Sequence, residues 1–179
     1  MFVISKRKIN RFYLSLFPII VICAIIFYSS SLTYEQQSLI PKLQVLLIDE
    51  PFHNFLTQFE IKYAGNIVSV ETKGYAGFIE FLLRKSAHFF IFFLLGLLTM
   101  RALCRFTHQM WLSILLSLLF IIIYAALDEF HQHLTGGRTP LLQDVILDFV
   151  GGATAVFMLA CWYKIRKKTN KHAFTPFMK

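Results

Sequence analysis

Charge is scarce in this sequence. Asp, Glu, Lys and Arg make up 16% of its 179 residues, against about 25% in an average soluble domain. With 8 glycines and 5 prolines, collagen-like and linker-like compositions are excluded. Cys23, Cys104 and Cys161 are too few and too widely spaced for a disulfide framework. Each lies in an apolar segment and reads as a small hydrophobe. There is no P-loop, no dinucleotide glycine pattern, no H-E-x-x-H and no G-x-S-x-G. Internal or inverted repeats are also missing.

Apolar surface is abundant instead. The chain is 56% hydrophobic and 16% aromatic, with 20 phenylalanines and a mean hydropathy of +0.59. A water-soluble fold of this size would expose too much of it, so the composition implies a membrane protein. The net charge of +8 does not imply nucleic acid. The basic residues gather at the termini beside apolar runs rather than on a mixed polar face.

A bilayer core about 30 Å thick takes about 20 apolar residues per helix. Four stretches qualify: residues 12–30, 86–104, 109–127 and 141–163. The first follows Lys6, Arg7, Lys8 and Arg11 and reads as an uncleaved signal-anchor. Pro18 is expected to kink that helix rather than end it. Arg101 and Arg105 stand at the end of the second span, and Lys164, Arg166, Lys167, Lys168, Lys171 and Lys179 follow the fourth. The first loop, 31–80, is rich in acids: Glu35, Asp49, Glu50, Glu60, Glu71 and Glu80. Both termini are therefore expected in the cytoplasm, with loops 31–80 and 128–140 outside and a basic cytoplasmic tail over 164–179. Phe52, Phe55, Leu56 and Phe59 repeat at i, i+3, i+4, i+7 after Pro51. That spacing predicts an amphipathic helix, lying in the outer interface or lidding the bundle. Residues 66–72 and 74–77 read as connector. The fold class expected is thus an all-α polytopic bundle in one membrane domain.

Polar residues in such segments call for partners or a job, since each charge in a span costs roughly 2.5–3.5 kcal/mol. Arg84, Lys85 and His88 stand at the start of the second span. "YAALDEFHQHLTGGRTP" closes the third, and "LLQDVILDFVGGATA" opens the fourth. Asp144 and Asp148 share a helical face, with Asp148 about 6 Å deeper. Gly151, Gly152 and Ala155 continue that face and admit a close helix, or a second copy of the chain. The topology puts all these groups at one membrane face. Lys85, His88, Asp128, Glu129, His131, Gln132, Arg138, Asp144 and Asp148 are then expected to share one outward pocket. A buried ion-pair network that only fixes helix packing is the alternative. His133 reads as a loop residue and Gly136-Gly137 as a turn. His88, His131, Glu129 and Asp144 are metal-ligand types, but the histidines of "DEFHQH" at i, i+2 do not share a helical face. No metal and no cofactor are expected.

These motifs resemble the VanZ-like family of small bacterial membrane proteins. "FYSSSLTYEQQS", "RKSAHFF", "DEFHQHLTGGRTP" and "QDVILDFVGG" match in order and spacing over residues 27–152. "LTGGR" stands where many members have Pro-Gly-Arg, and Asp148 where Asn is frequent. The resemblance implies a multi-helix module of the bacterial cell membrane, associated with resistance to teicoplanin-type glycopeptide antibiotics. It carries over the polar positions Lys85, His88, Asp128, Glu129, His131, Gln132, Arg138, Asp144 and Asp148.

Three readings follow. In the first, an outward pocket binds an envelope or cell-wall precursor, a lipid head group or a glycopeptide, with Lys85 and Arg138 holding an anionic group. In the second, an intramembrane enzyme uses His88 or His131 as acid/base and Asp144 as its orienter. In the third, the chain is a structural accessory subunit. Expected partners are membrane lipids and a homodimer mate, not nucleic acid.

Overall fold

The computed structural model describes residues 6–107, 109–136 and 141–173, with side-chain surroundings for residues 14–135 other than 108 and for 141–166. The described elements run α1 (Lys6–Ser30), α2 (Tyr34–Gln37), α3 (Ile40–Leu46), α4 (His53–Leu56), β1 (Ile61–Tyr63), β2 (Asn66–Val68), α5 (Val70–Phe106), α6 (Met110–Gly136) and α7 (Leu142–Ala173). Helices α5, α6 and α7 are each long and apolar enough to cross a membrane. Helix α1 qualifies only in company: Leu14–Ser30 and Tyr34–Leu46 pass together, bent by 115°. The protein is therefore a helical membrane protein with three to four candidate spans. Pro18 lies inside α1 without ending it.

The four long helices share one apolar core. Ile19, Ile22 and Ile26 of α1 meet Phe92, Leu95, Met100 and Ala102 of α5, Ile121 and Ala125 of α6, and Val156 of α7. The outer surface is equally apolar. Leu14, Phe17, Phe90, Trp111, Leu119 and Phe157 are all more than half exposed. Burying such a side chain is worth about 1.5–3 kcal/mol, so this surface demands lipid.

Helix α5 is much longer than the span expected at 86–104. Its start is dictated by Ser69, whose side chain accepts from the Thr72 N–H while Thr72 answers at the Ser69 N–H. Gly74 interrupts the helix at φ 71°, ψ 162°, a conformation open to glycine because it lacks a Cβ. The 22 residues from Lys85 to Phe106 would rise about 33 Å, close to the apolar thickness of a bilayer. The whole 37-residue helix is longer than that thickness requires.

The first loop corrects two expectations. The Phe52–Phe59 stripe forms no amphipathic helix; only the single turn α4 is present. Glu50 and Phe52 adopt left-handed backbone (φ 42° and 65°), which breaks the helix beside Pro51. Leu56 packs inward near Val68, Tyr75 and Phe78, while Phe52 and Phe55 stay exposed. The supposed connector at 66–72 instead holds β2, paired antiparallel to β1 with Tyr63 opposite Asn66. Ala64 and Gly65 join them, both at positive φ, as a two-residue hairpin turn requires. Two further boundaries move. Helix α6 continues through residues 128–136, expected as loop, and α7 continues into the basic tail. His133 is accordingly helical, and Gly136 is the last residue of α6 rather than half of a turn; Gly137 lies outside the described residues.

Helices α5 and α7 run parallel in very close contact. A Cβ added to Gly96 would overlap the Gly152 backbone, and one on Gly151 would overlap the Phe89 backbone. On Gly152 it would meet Ile121 Cγ2 of α6 at 2.7 Å. The Gly151/Gly152 face is therefore filled within the chain and is not open to a second copy. Gly96→Val is expected to lower stability by about 1–3 kcal/mol through overpacking. Thermal unfolding in detergent reads this as a lower midpoint; an unchanged midpoint would contradict the contact.

Candidate functional site

Contacts fix which helix ends meet. Ser30, at the end of α1, donates to Asp128 near the end of α6. Lys85 in the first half of α5 reaches Asp144 at the start of α7. The ionisable groups of three long helices therefore share one end of the bundle, as their order along the chain predicts. At the other end, Arg105 of α5 donates to Ser15 of α1 at 2.6 Å.

Because α5 and α7 are parallel, their polar residues pair in rungs. On the first rung, Lys85 Nζ donates to Asp144 Oδ1 at 2.5 Å, with side chains 24% and 17% exposed. Tyr63 OH, brought by strand β1, donates to the same oxygen. The Lys85 ammonium also sits 4.5 Å from the Tyr63 ring centroid. Burial first, then the Asp144 carboxylate, push the Tyr63 phenol far above its ordinary range, so it remains a proton donor. Lys85 thus has its charge answered inside the protein, which weakens its expected part as a free anion holder.

The second rung lies nearly one turn deeper. His88 Nδ1 is 3.4 Å from Asp148 Oδ1, and Asp148 is buried at 2% exposure. Its Oδ1 has no hydrogen-bond partner. Asp128 completes the group: one ligand atom from each of His88, Asp128 and Asp148 lies within 4.8 Å of the others. Asp128 is held by Ser30 Oγ at 2.5 Å and by Gln132 Nε2 at 2.9 Å. The expected orienter of His88, Asp144, is one turn too shallow and already engaged by Lys85 and Tyr63; Asp148 stands in that place.

The remaining selected residues separate from this trio. Glu129 Oε1 accepts from the Leu141 N–H at 2.7 Å, just before α7, an anchoring contact at a helix start. His131 stacks on Phe27 with ring centroids 4.3 Å apart, and its Nε2 is 3.0 Å from Ser31 Oγ. It faces the end of α1, not His88. Arg138 lies outside the described residues.

A further node had only partial signal in sequence. Glu80 is buried at 1% exposure and pairs with Arg84 one turn on, at 2.9 Å. Glu80 also accepts from the Leu39 N–H at 2.7 Å and from Tyr34 OH at 3.1 Å. Arg84 reaches Gln37 Oε1 at 2.8 Å and lies over the Tyr34 ring. The "SSSLTYEQQS" segment is thereby clamped over the polar end. The i, i+4 spacing of Glu80 and Arg84 was readable; their partners 41 to 47 residues away were not. A cavity of about 410 Å³ lies apart from these groups, between α3 and the Gly74 break, lined by Leu43, Leu47, Glu50 and Lys73 among others.

Breaking the first rung from one side leaves a charge in a poorly hydrated place. Lys85→Met and Asp144→Leu are each expected to destabilise the protein, and the double variant to recover part of the loss. The coupling energy should be about 0.5–3 kcal/mol, measured by thermal unfolding of all four proteins in detergent. Strictly additive effects would remove the pair from the account.

No curated protein and no solved structure matches the chain. The family model described as VanZ/LLP1 matches residues 15–163, a range that contains both rungs, the Glu80 node and every long helix in whole or in large part. A match over most of the chain establishes the resemblance seen in the motifs: this protein belongs to the VanZ/LLP1 family.

Proposed function

We propose that this is a cell-envelope protein of the bacterial cell membrane whose polar bundle end faces outward and binds the polar head of a membrane-anchored ligand. The ligand class is an envelope precursor, a lipid head group or a glycopeptide. The distribution of basic residues supports this orientation, read with four crossings and both termini in the cytoplasm. Lys6, Arg7, Lys8, Arg11, Arg101, Arg105, Lys164 and Arg166 then lie on one side and the acid-rich first loop on the other. The observation that carries the reading is Asp148 Oδ1, a buried carboxylate oxygen without a hydrogen-bond partner, inside a cluster drawn from three helices. Buried polar atoms are nearly always satisfied, so an exception calls for an explanation, and a bound ligand is one. Resistance to teicoplanin-type antibiotics follows from the family resemblance and belongs to the same proposal.

The His88–Asp148 pair favours a second reading. An imidazole beside a carboxylate is the arrangement of a general base and its orienter. The enzyme would then act on a lipid or cell-wall precursor at the same place.

Binding and turnover separate the two. Protein in nanodiscs of bacterial lipid is expected to retain an envelope lipid detectable by native mass spectrometry. Asp148→Asn should weaken that retention about tenfold, or 1.4 kcal/mol, while the protein stays folded. Product formed by wild-type protein and lost in His88→Gln would establish the enzyme instead. Retention unchanged in Asp148→Asn, with no product, would reject both. In cells, deletion is expected to raise teicoplanin susceptibility, and unchanged susceptibility to several glycopeptides would reject the resistance link.

A further inference from the structure

We infer that His88, Asp128 and Asp148 bind one divalent transition-metal ion of the Mn²⁺ or Zn²⁺ class. One ligand atom from each residue already lies within 4.8 Å of the other two. The 3.4 Å between His88 Nδ1 and Asp148 Oδ1 is about the edge length between two ligands that each sit ~2.1 Å from a tetrahedral centre. At that distance the two groups stand at ion-pair range, while Asp148 Oδ1 has no hydrogen-bond partner. This buried oxygen keeps acceptor capacity that the His88 contact leaves unfilled.

Charge points the same way. Among the described residues, neither Asp128 nor Asp148 has a lysine or arginine at ion-pair distance. Among the described residues, Lys85 is paired with Asp144 and Arg84 with Glu80. Two buried carboxylates close together repel strongly where water is excluded. A divalent cation between them answers both charges at once.

The surroundings suit a metal. Ser30 and Gln132 each donate to Asp128, as outer partners orient ligating carboxylates. An imidazole nitrogen in the set favours a transition metal over Mg²⁺ or Ca²⁺. Three protein ligands leave a coordination position open. His88, with 35% of its side chain exposed, offers the way in. The three residues come from α5, α6 and α7, so no spacing within one segment announces them. The inference departs from the expectation of no metal drawn from spacing. It stands whether or not a head group binds nearby.

The test uses full-length protein in detergent, stripped with a chelator and dialysed against Mn²⁺ or Zn²⁺ alone. Wild type is expected to retain one ion per chain by elemental analysis. His88→Gln, Asp128→Asn and Asp148→Asn should each lower the affinity at least about tenfold, whereas His53→Gln in the first loop should not. The Mn²⁺-loaded wild type gives a readout independent of any variant: its electron spin-echo spectrum should carry nitrogen modulation from one imidazole. No retained ion, undiminished affinity in all three variants, or a Mn²⁺ signal without nitrogen coupling would each overturn the inference.

Discussion

The contact between α5 and α7 sets the rest of the structure. Gly96, Gly151 and Gly152 remove the side chains that would hold the two backbones apart. Close approach of this kind is how helices associate in lipid, where no hydrophobic drive exists between apolar surfaces. It also locks the register of two parallel helices. Once Gly151 lies on Phe89, Lys85 must stand beside Asp144 and His88 beside Asp148. The rungs are consequences of a glycine contact deeper in the bundle.

The medium explains why these rungs are so elaborately attended. In water, Lys85 and Asp144 would be a minor surface pair. At the edge of an apolar slab each needs a partner, and the first rung gains Tyr63 from a hairpin that packs on the start of α5. The second rung takes Ser30 from α1 and Gln132 from α6, but only on Asp128. Asp148 is left with an unanswered oxygen. The first rung is fully paired and the second is not, and the binding role proposed for the second rests on that difference. The Glu80–Arg84 node has the anchoring character too, since its partners beyond α5 (Tyr34, Gln37 and Leu39) all lie in the segment it clamps.

Much of this was legible in the residues. Long apolar runs announced the helices because lipid tolerates no backbone polar group left unpaired. Basic flanks and the position of each polar motif along its run put the ionisable groups at one end. What escaped was local geometry that depends on distant contacts. Ala64 hid the hairpin because a positive-φ turn is ordinarily marked by Asn or Gly at that position. The Phe52–Phe59 stripe imitated an amphipathic helix, while Leu56 alone turned toward the cluster around Phe78. Ser69 and Thr72 spelled a helix start within what read as connector, because serine and threonine are equally common in turns.

By itself the sequence determined the medium, the helical class, the family and the end of the bundle at which its charges gather. These follow from composition, run length and order, which are properties of a chain before it folds. Only the tertiary structure decided who pairs with whom: Asp148 rather than Asp144 beside His88, Asp128 in their company, His131 turned away onto Phe27, and the glycine face closed within one chain. Partners on different helices are chosen by the rotation and register of each helix about its neighbours. That choice rests on helix contacts far from the charges, at glycines whose role no charge pattern discloses.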